Sequence, residues 1–294
     1  MLQDVFAVVL NYRTPDKTLV CMKSLKAEDI TRIVLVENSE DDGFSIDKMS
    51  PGLEMLRAEG VFVKVLDEGR NLGFAAGVNR ALAYIQTQNT GPVLLINSDA
   101  TLELGALGHL LNAISKGADV AAPFIAAPGQ AAASPIFFYH RYLAILTPKP
   151  LWGSLAYLTG ACMLIAPQVV HANLFDEDFF FYGEDVMLGA TMAQLGKVCI
   201  AVPDSVVMHE GAGSSKNGSF FYEYHVNRGH WLLGRKLMYG KAAYGFALAG
   251  RALVLSLRAM ARSVRFGCLV PLKGFWISAA DTFLKAPLKQ KNLK

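Results

Sequence analysis

The chain has 294 residues, 52% of them apolar, and a formal net charge of +3. That length carries one large α/β domain with its own core plus a smaller C-terminal piece, and the apolar content excludes a disordered chain. From Arg251 onward there are nine cations (Arg251, Arg258, Arg262, Arg265, Lys273, Lys285, Lys289, Lys291, Lys294) against the acid Asp281. A basic end on a near-neutral chain points to an anionic partner, lipid or nucleic acid. The four cysteines (Cys21, Cys162, Cys199, Cys268) are scattered, with no CxxC and no Cys/His cluster, which argues against a zinc site or a disulfide framework and fits a reducing compartment. MLQDVFAVVLNYR lacks a basic leader region, and no apolar run approaches the roughly 20 residues of a spanning helix. The expectation is a cytoplasmic protein whose membrane contact, if any, is made from the side.

Val5–Asn11 reads as a buried strand, and helical spacing follows over Thr18–Glu28. Arg32–Glu37 is a second strand ending in a polar turn, and Val61–Leu66 a third. Gly77–Gln86 is a helix, Pro92–Ile96 a fourth strand and Leu104–Lys116 another helix, with a short strand at Val120–Ala122. Ala126–Pro135 is a loop, Leu155–Ala166 a core strand, Asp185–Leu195 a helix and Lys197–Val202 a strand. His209–Ser219 is a Gly/Ser loop, and the pattern is helical from Phe220. Strands alternating with helices imply a mainly parallel, Rossmann-like α/β sheet flanked by helices.

In such a sheet, ligands bind beyond the carboxyl ends of the strands. Polar residues stand at four successive strand ends: Asn11-Tyr12-Arg13, Glu37-Asn38-Ser39, Asn71-Leu72-Gly73 and Asn97-Ser98-Asp99. Asp99 would suit a hard divalent cation, Mg²⁺ or Mn²⁺, or equally would cap the next helix or a turn. The glycine-punctuated run from Asn71 through Gly73 to Asn79 and Arg80 leads into a helix whose N-terminus favours phosphate. It is neither GxGxxG nor a P-loop, and an ordinary loop–helix junction has the same pattern. Glu184-Asp185 follows an aromatic run; one of the two acids suits a general base, and both also suit the first turn of a helix. His209 at a strand end would touch a metal or phosphate, or be a plain loop histidine.

Taken in order, VVLNYR, VLVENSEDDG, NLGFAAGVNRAL, LLINSDA, LTGACMLI, FFFYGEDVMLGATMAQLG and VMHEGAGSS resemble glycosyltransferase family 2 with the GT-A fold, and its rhamnosyltransferase-like members in particular, over about residues 5–235. The resemblance implies inverting transfer of rhamnose or a similar hexose from a nucleoside-diphosphate sugar (TDP- or UDP-linked) to a hydroxyl of a glycan or lipid-linked glycan acceptor of the cell envelope. By it, Asp99 is the metal acid of a DxD-type motif whose first acid is here Asn97. Asp185 is the base, with Glu184 beside it. Asn11, Tyr12, Arg13, Glu37 and Asn38 line the base and ribose pocket. Gly73, Asn79 and Arg80 lie near the diphosphate, with Asn71 and Ser98 in the same loops, and His209 contacts metal or phosphate. Two departures, Asn97 for an acid and Met187 where members commonly carry one, keep open a catalytically degenerate protein that binds nucleotide or glycan without turnover.

The expected division is a catalytic domain over residues 1–238 and a basic helical tail over 239–294. Arg251, Arg258, Arg262 and Arg265, separated by seven, four and three residues, share one helix face opposite Leu, Val, Phe, Ala and Met. The expectation is an amphipathic helix lying on the inner membrane face, arginines toward anionic headgroups, with Lys285–Lys294 adding charge. Nucleic acid is not expected as a partner, because no binding motif accompanies the charge.

Overall fold

The computed structural model describes residues 4–88, 91–210 and 217–284. The chain runs β1 (Phe6–Asn11), α1 (Pro15–Ala27), β2 (Arg32–Glu37), α2 (Phe44–Ala58), β3 (Phe62–Asp67), α3 (Phe74–Gln86), β4 (Val93–Asn97), β5 (Ala100–Leu102), α4 (Ala106–Ser115) and β6 (Val120–Ala126). It continues through β7 (Ile136–His140), β8 (Ile145–Thr147), β9 (Ser154–Leu158), β10 (Cys162–Ile165), α5 (Glu184–Gln194), β11 (Cys199–His209), α6 (Phe220–Leu237), α7 (Lys241–Phe266) and α8 (Val270–Phe283). It divides into two compact units, Met1–Ile136 with Leu158–Asp176 and Thr191–Ser214, and Phe137–Tyr157 with Glu177–Ala190 and Ser215–Lys294.

The first unit is a mixed α/β layer structure. Its eight-stranded sheet has the order β3-β2-β1-β4-β10-β6-β11-β5. β1 pairs in parallel with β2 on one side and β4 on the other, so the strand order reverses beside β1. The apolar runs FAVVL, RIVLV and VLLI need cover on both faces, and Ala7, Val9, Ile33, Leu35, Leu94 and Ile96 lie in a core closed by Cys21, Met22 and Leu25 of α1 and Leu53 and Leu56 of α2. β10 enters antiparallel to β4 and β6, and β11 returns parallel to β6 and antiparallel to β5. The expected mainly parallel sheet is present, with one correction: Leu155–Ala166 is not one strand but β9 and β10, broken at Thr159–Ala161.

α2 had no counterpart in the sequence reading because Pro51-Gly52 mimics a turn. The proline sits within the helix. A Cβ on Gly52 would lie 2.7 Å from the Leu19 side chain, so the glycine there serves close helix packing.

The second unit holds the β8-β7-β9 sheet and the helices α6, α7 and α8. Ser219 caps α6 by accepting a hydrogen bond from the Tyr222 amide. The apolar core gathers Tyr139, Phe179, Val186, Trp231, Leu233, Leu255 and Phe275. Here the expected orientation of the helical tail is overturned. Arg251 is 1% exposed and donates to the Tyr139 hydroxyl at 2.6 Å and the His230 carbonyl at 2.7 Å. Arg262 donates to the buried Glu223 carboxylate at 2.8 Å through Nε, and Arg258 reaches the same carboxylate at 3.5 Å. The arginine stripe faces the protein, because α6 and β7 supply the acceptors, and the apolar stripe faces solvent. Only Arg265 of the four is exposed. No helix among the described residues is long and apolar enough to cross a membrane; Lys285–Lys294 lies outside the described residues.

Removing one partner of a buried ion pair strands the other. Glu223→Ala leaves Arg258 and Arg262 without their carboxylate and should lower the unfolding free energy by about 3–5 kcal/mol, measured by urea denaturation.

Candidate active site

The parallel register sets the first part of the site. Asn11 lies opposite Glu37, and Leu10 opposite Asn97, so the ends of β1, β2 and β4 stand level. Asn11 is fully buried and donates from Nδ2 to Glu37 Oε2 at 2.7 Å and to Ser39 Oγ at 3.0 Å, while its Oδ1 accepts from Thr18 Oγ1 at 2.8 Å. Burial raises the Glu37 carboxyl pKa, against which the hydrogen bonds from Ser39 and Asn11 work. Arg13, with a positive φ of 56°, is held by Ser39 through its amide and its Nε, and its guanidinium lies 5.4 Å from the Tyr12 ring centre.

Asn38 braces the next loop: its Nδ2 donates to the Gly73 carbonyl at 3.1 Å and its Oδ1 accepts from the Leu72 amide at 3.4 Å. Asn71 Oδ1 accepts from the Gly73 amide at 2.8 Å, closing the turn before α3. Gly73 has φ 79°, and the helix begins at Phe74, three residues before the start expected. Gly77 leaves room for this brace, since a Cβ there would lie 3.2 Å from Asn38 Nδ2. Asn79 is buried and clamps the Phe175 backbone, donating to its carbonyl at 2.8 Å and accepting from its amide at 3.0 Å. Arg80 forms an exposed ion pair with Glu68 at 2.6 Å.

Asp99 lies in the turn between β4 and β5 and caps no helix, since α4 begins at Ala106. The Glu28 carboxylate supplies acceptors there, to the amides of Gly105 at 2.6 Å and Leu107 at 2.8 Å. β11 pairs antiparallel with β5, His209 opposite Ala100, which brings His209 Nε2 to 3.1 Å from Asp99 Oδ1 and 3.4 Å from Asn97 Nδ2. Ser98 Oγ stands 3.3 Å from Thr14 Oγ1. Burial alone would raise the Asp99 pKa, but the His209 contact, helped by Lys17, holds it below the usual carboxylate range. Lys17, which sequence reasoning missed, pairs with Glu210 at 2.6 Å. Among the described residues no group of three His, Cys, Asp or Glu side chains gathers. The donor set on hand, a carboxylate oxygen beside an imidazole nitrogen, fits Mn²⁺ or Mg²⁺ completed by diphosphate oxygens and water. Of the Gly/Ser loop expected over His209–Ser219, residues 211–216 lie outside the described residues.

In the second unit, Glu184 and Asp185 are the first residues of α5. Glu184 Oε2 is withdrawn from solvent with no hydrogen-bond partner among the described residues. Burial, reinforced by the neighbouring Asp185 charge, pushes its pKa well up. Asp185 Oδ1 accepts from the Val186 amide at 2.8 Å. Of the two adjacent acids, Glu184 is thereby shifted toward its neutral form. Met187 packs against the apolar cluster of the unit. The turn before α5 has two consecutive positive φ values, 65° at Tyr182 and 102° at Gly183. Gly229 of α6 lets the Tyr182 carbonyl approach, since a Cβ there would lie 2.4 Å from that oxygen.

A family model described as Glycosyl transferase family 2 matches residues 6–170, more than half of the chain. The chain belongs to glycosyltransferase family 2. This family 2 chain is 26% identical to an N-acetylglucosaminyl-diphospho-decaprenol L-rhamnosyltransferase of Mycobacterium tuberculosis, in strains H37Rv and CDC 1551 alike, over 72% of its own length and 78% of the relative's. Its fold is similar to that of a mannosyltransferase from Pyrobaculum calidifontis solved in complex with GDP-Man and Mn²⁺, with a TM-score of 0.56 and 14% identity over 96% of this chain and 87% of that one. The sheet and its flanking helices are those of a GT-A glycosyltransferase, as the motifs led one to expect.

A side chain at Gly183 meets both a left-handed backbone and the Phe179 ring, 2.8 Å from the position of a Cβ. Gly183→Ala should therefore destabilise this family 2 chain by about 1–3 kcal/mol, read as a lowered urea midpoint with unchanged far-ultraviolet circular dichroism.

Proposed function

We propose that this chain is an inverting hexosyltransferase, moving rhamnose or a similar sugar from a TDP- or UDP-linked donor to a hydroxyl of a lipid-linked cell-envelope glycan at the inner membrane face. The observation that carries it is Asp99 and His209 meeting 3.1 Å apart at the carboxyl end of β4, where a sheet of this topology binds its ligand. The mycobacterial relative, whose name gives a rhamnosyl group and a diphospho-decaprenol acceptor, supports the substrate class. We assign transfer to residues 1–238 and membrane contact to residues 239–294.

Asp99 and His209 would hold Mg²⁺ or Mn²⁺, which when bound supplies positive charge to the departing diphosphate. The N-terminus of α3, held in place by the loop from Asn71 to Gly73, would present backbone amides toward phosphate. Asn11, Tyr12, Arg13, Glu37 and Asn38 shape the nucleoside pocket, with Asn79 and Arg80 supporting the diphosphate side through α3. Asp185 accepts the acceptor hydroxyl's proton as its oxygen bonds to the anomeric carbon, and the carbon–oxygen bond to the nucleoside diphosphate breaks on the opposite face. That single displacement inverts the anomeric centre. Glu184, kept neutral by burial, leaves Asp185 the stronger claim to the proton.

Three mutants divide these roles. Asp99→Ala should weaken metal-dependent donor binding at least about tenfold while the protein stays folded, as read by calorimetry with and without Mn²⁺. Equal affinity in mutant and wild type removes Asp99 from the metal site.

Asp185→Asn keeps the side chain's shape and loses its basicity, so kcat should fall by about 10² to 10⁴ with donor affinity nearly intact. Glu184→Gln should lose far less. The reverse ranking moves the base to Glu184. Normal turnover in both overturns the mechanism, and absence of nucleoside diphosphate release from the wild type with acceptor present favours the non-catalytic reading that Asn97 and Met187 leave open.

A further inference from the structure

α7 buries Ala247, Arg251, Leu255, Ala259 and Ser263, four residues apart along one side. On the other side, every exposed residue between Lys241 and Arg265 is Gly, Ala, Val, Leu, Met or Phe. Phe246, Leu253, Leu257, Met260 and Val264 follow the helical repeat and form a single stripe, with Phe246 74% and Val264 84% exposed. At 1.5 Å per residue the stripe runs for roughly 27 Å. The stripe is bordered by Ser256, whose hydroxyl donates to the Leu253 carbonyl of its own helix at 2.9 Å, and its length marks it as an interaction surface.

The charges at its ends say what the partner is. Lys241 precedes the stripe and Arg265 follows it, both exposed, and α7 contains no acidic residue. After α8 the sequence KAPLKQKNLK adds four lysines and again no acid. A second copy docked through the same face would set cation against cation at both ends, whether the two helices ran parallel or antiparallel. An anionic bilayer offers acyl chains to the stripe and phosphate headgroups to its ends.

The geometry points to the outer apolar face of α7, and not its arginine face, as the surface that docks on an anionic lipid bilayer, with Lys241 and Arg265 at the headgroups. The inner arginines then fasten the helix to the protein. This deepens the lipid-linked-acceptor reading above, but the contact itself needs neither donor nor acceptor.

The test uses the full chain with vesicles of phosphatidylcholine alone or of phosphatidylcholine and phosphatidylglycerol at three to one, without donor or acceptor. The wild type should co-sediment with the anionic vesicles and bind neutral ones more weakly. L253E/L257E should lower the partition coefficient at least about tenfold, with donor affinity unchanged as proof of folding. K241E/R265E, which leaves the stripe intact, should remove the salt-sensitive part of binding. Wild-type partition by L253E/L257E overturns the proposal. So does a wild-type dimer that L253E/L257E dissociates while vesicle binding is absent, since the occupant is then a second copy. Vesicle binding as described, without sugar transfer, defeats the functional reading and leaves this surface standing. Transfer to a soluble acceptor without any vesicle binding does the opposite.

Discussion

The pairing of β1 between β2 and β4 sets the level at which everything polar in the first unit stands. Because side chains alternate between faces, a slip of one residue between β1 and β2 would send Asn11 and Glu37 to opposite faces and break the bond between them. With the register as found, the three strand ends form one rim. The turn carrying Asp99 hangs from that rim, and β11 lays His209 across it.

Most polar residues of the rim hold it in shape. Asn11, Ser39 and Thr18 are buried and spend their hydrogen bonds on one another, on Glu37 and on Arg13. Asn38 does the same for the Gly73 loop, and Asn79 ties α3 to Phe175. Such groups are costly to bury without partners and confer rigidity when fully paired. Asp99 is drawn toward ionisation by a histidine, and Glu184 is pushed toward neutrality by burial beside a second acid. The two carboxyls, one in each unit, are thus shifted in opposite directions.

The second unit shows how charge decides the orientation of an amphipathic helix. Burying Arg251 is tolerable because neutral acceptors surround it: the Tyr139 hydroxyl and the His230 carbonyl, with the His230 ring, its pKa driven down to about 3 chiefly by burial, stacked on Tyr139. Glu223, fully buried, then answers Arg258 and Arg262. About three turns of α7, from Arg251 to Arg262, are thereby anchored through polar contacts, and Phe246, Leu253, Leu257, Met260 and Val264 are left outward.

The sequence by itself determined the alternation of strands and helices, the polar chemistry at four strand ends and the order of motifs that marks the family, because these rest on local periodicity and on residue type. It left α2 unread, since Pro51-Gly52 carries the local signature of a turn, and only the fold shows Gly52 packed closely against Leu19. Only the tertiary structure joined His209 to Asp99 across 110 residues, because strand order is a property of the whole sheet. Only it enclosed Glu184 Oε2 away from water, since burial belongs to the surroundings of a side chain and not to its neighbours in the chain. It also reversed the orientation of α7. Helical spacing defines two faces and says nothing about which is covered; the Glu223 carboxylate and the Tyr139 hydroxyl, distant in sequence, drew the arginines inward.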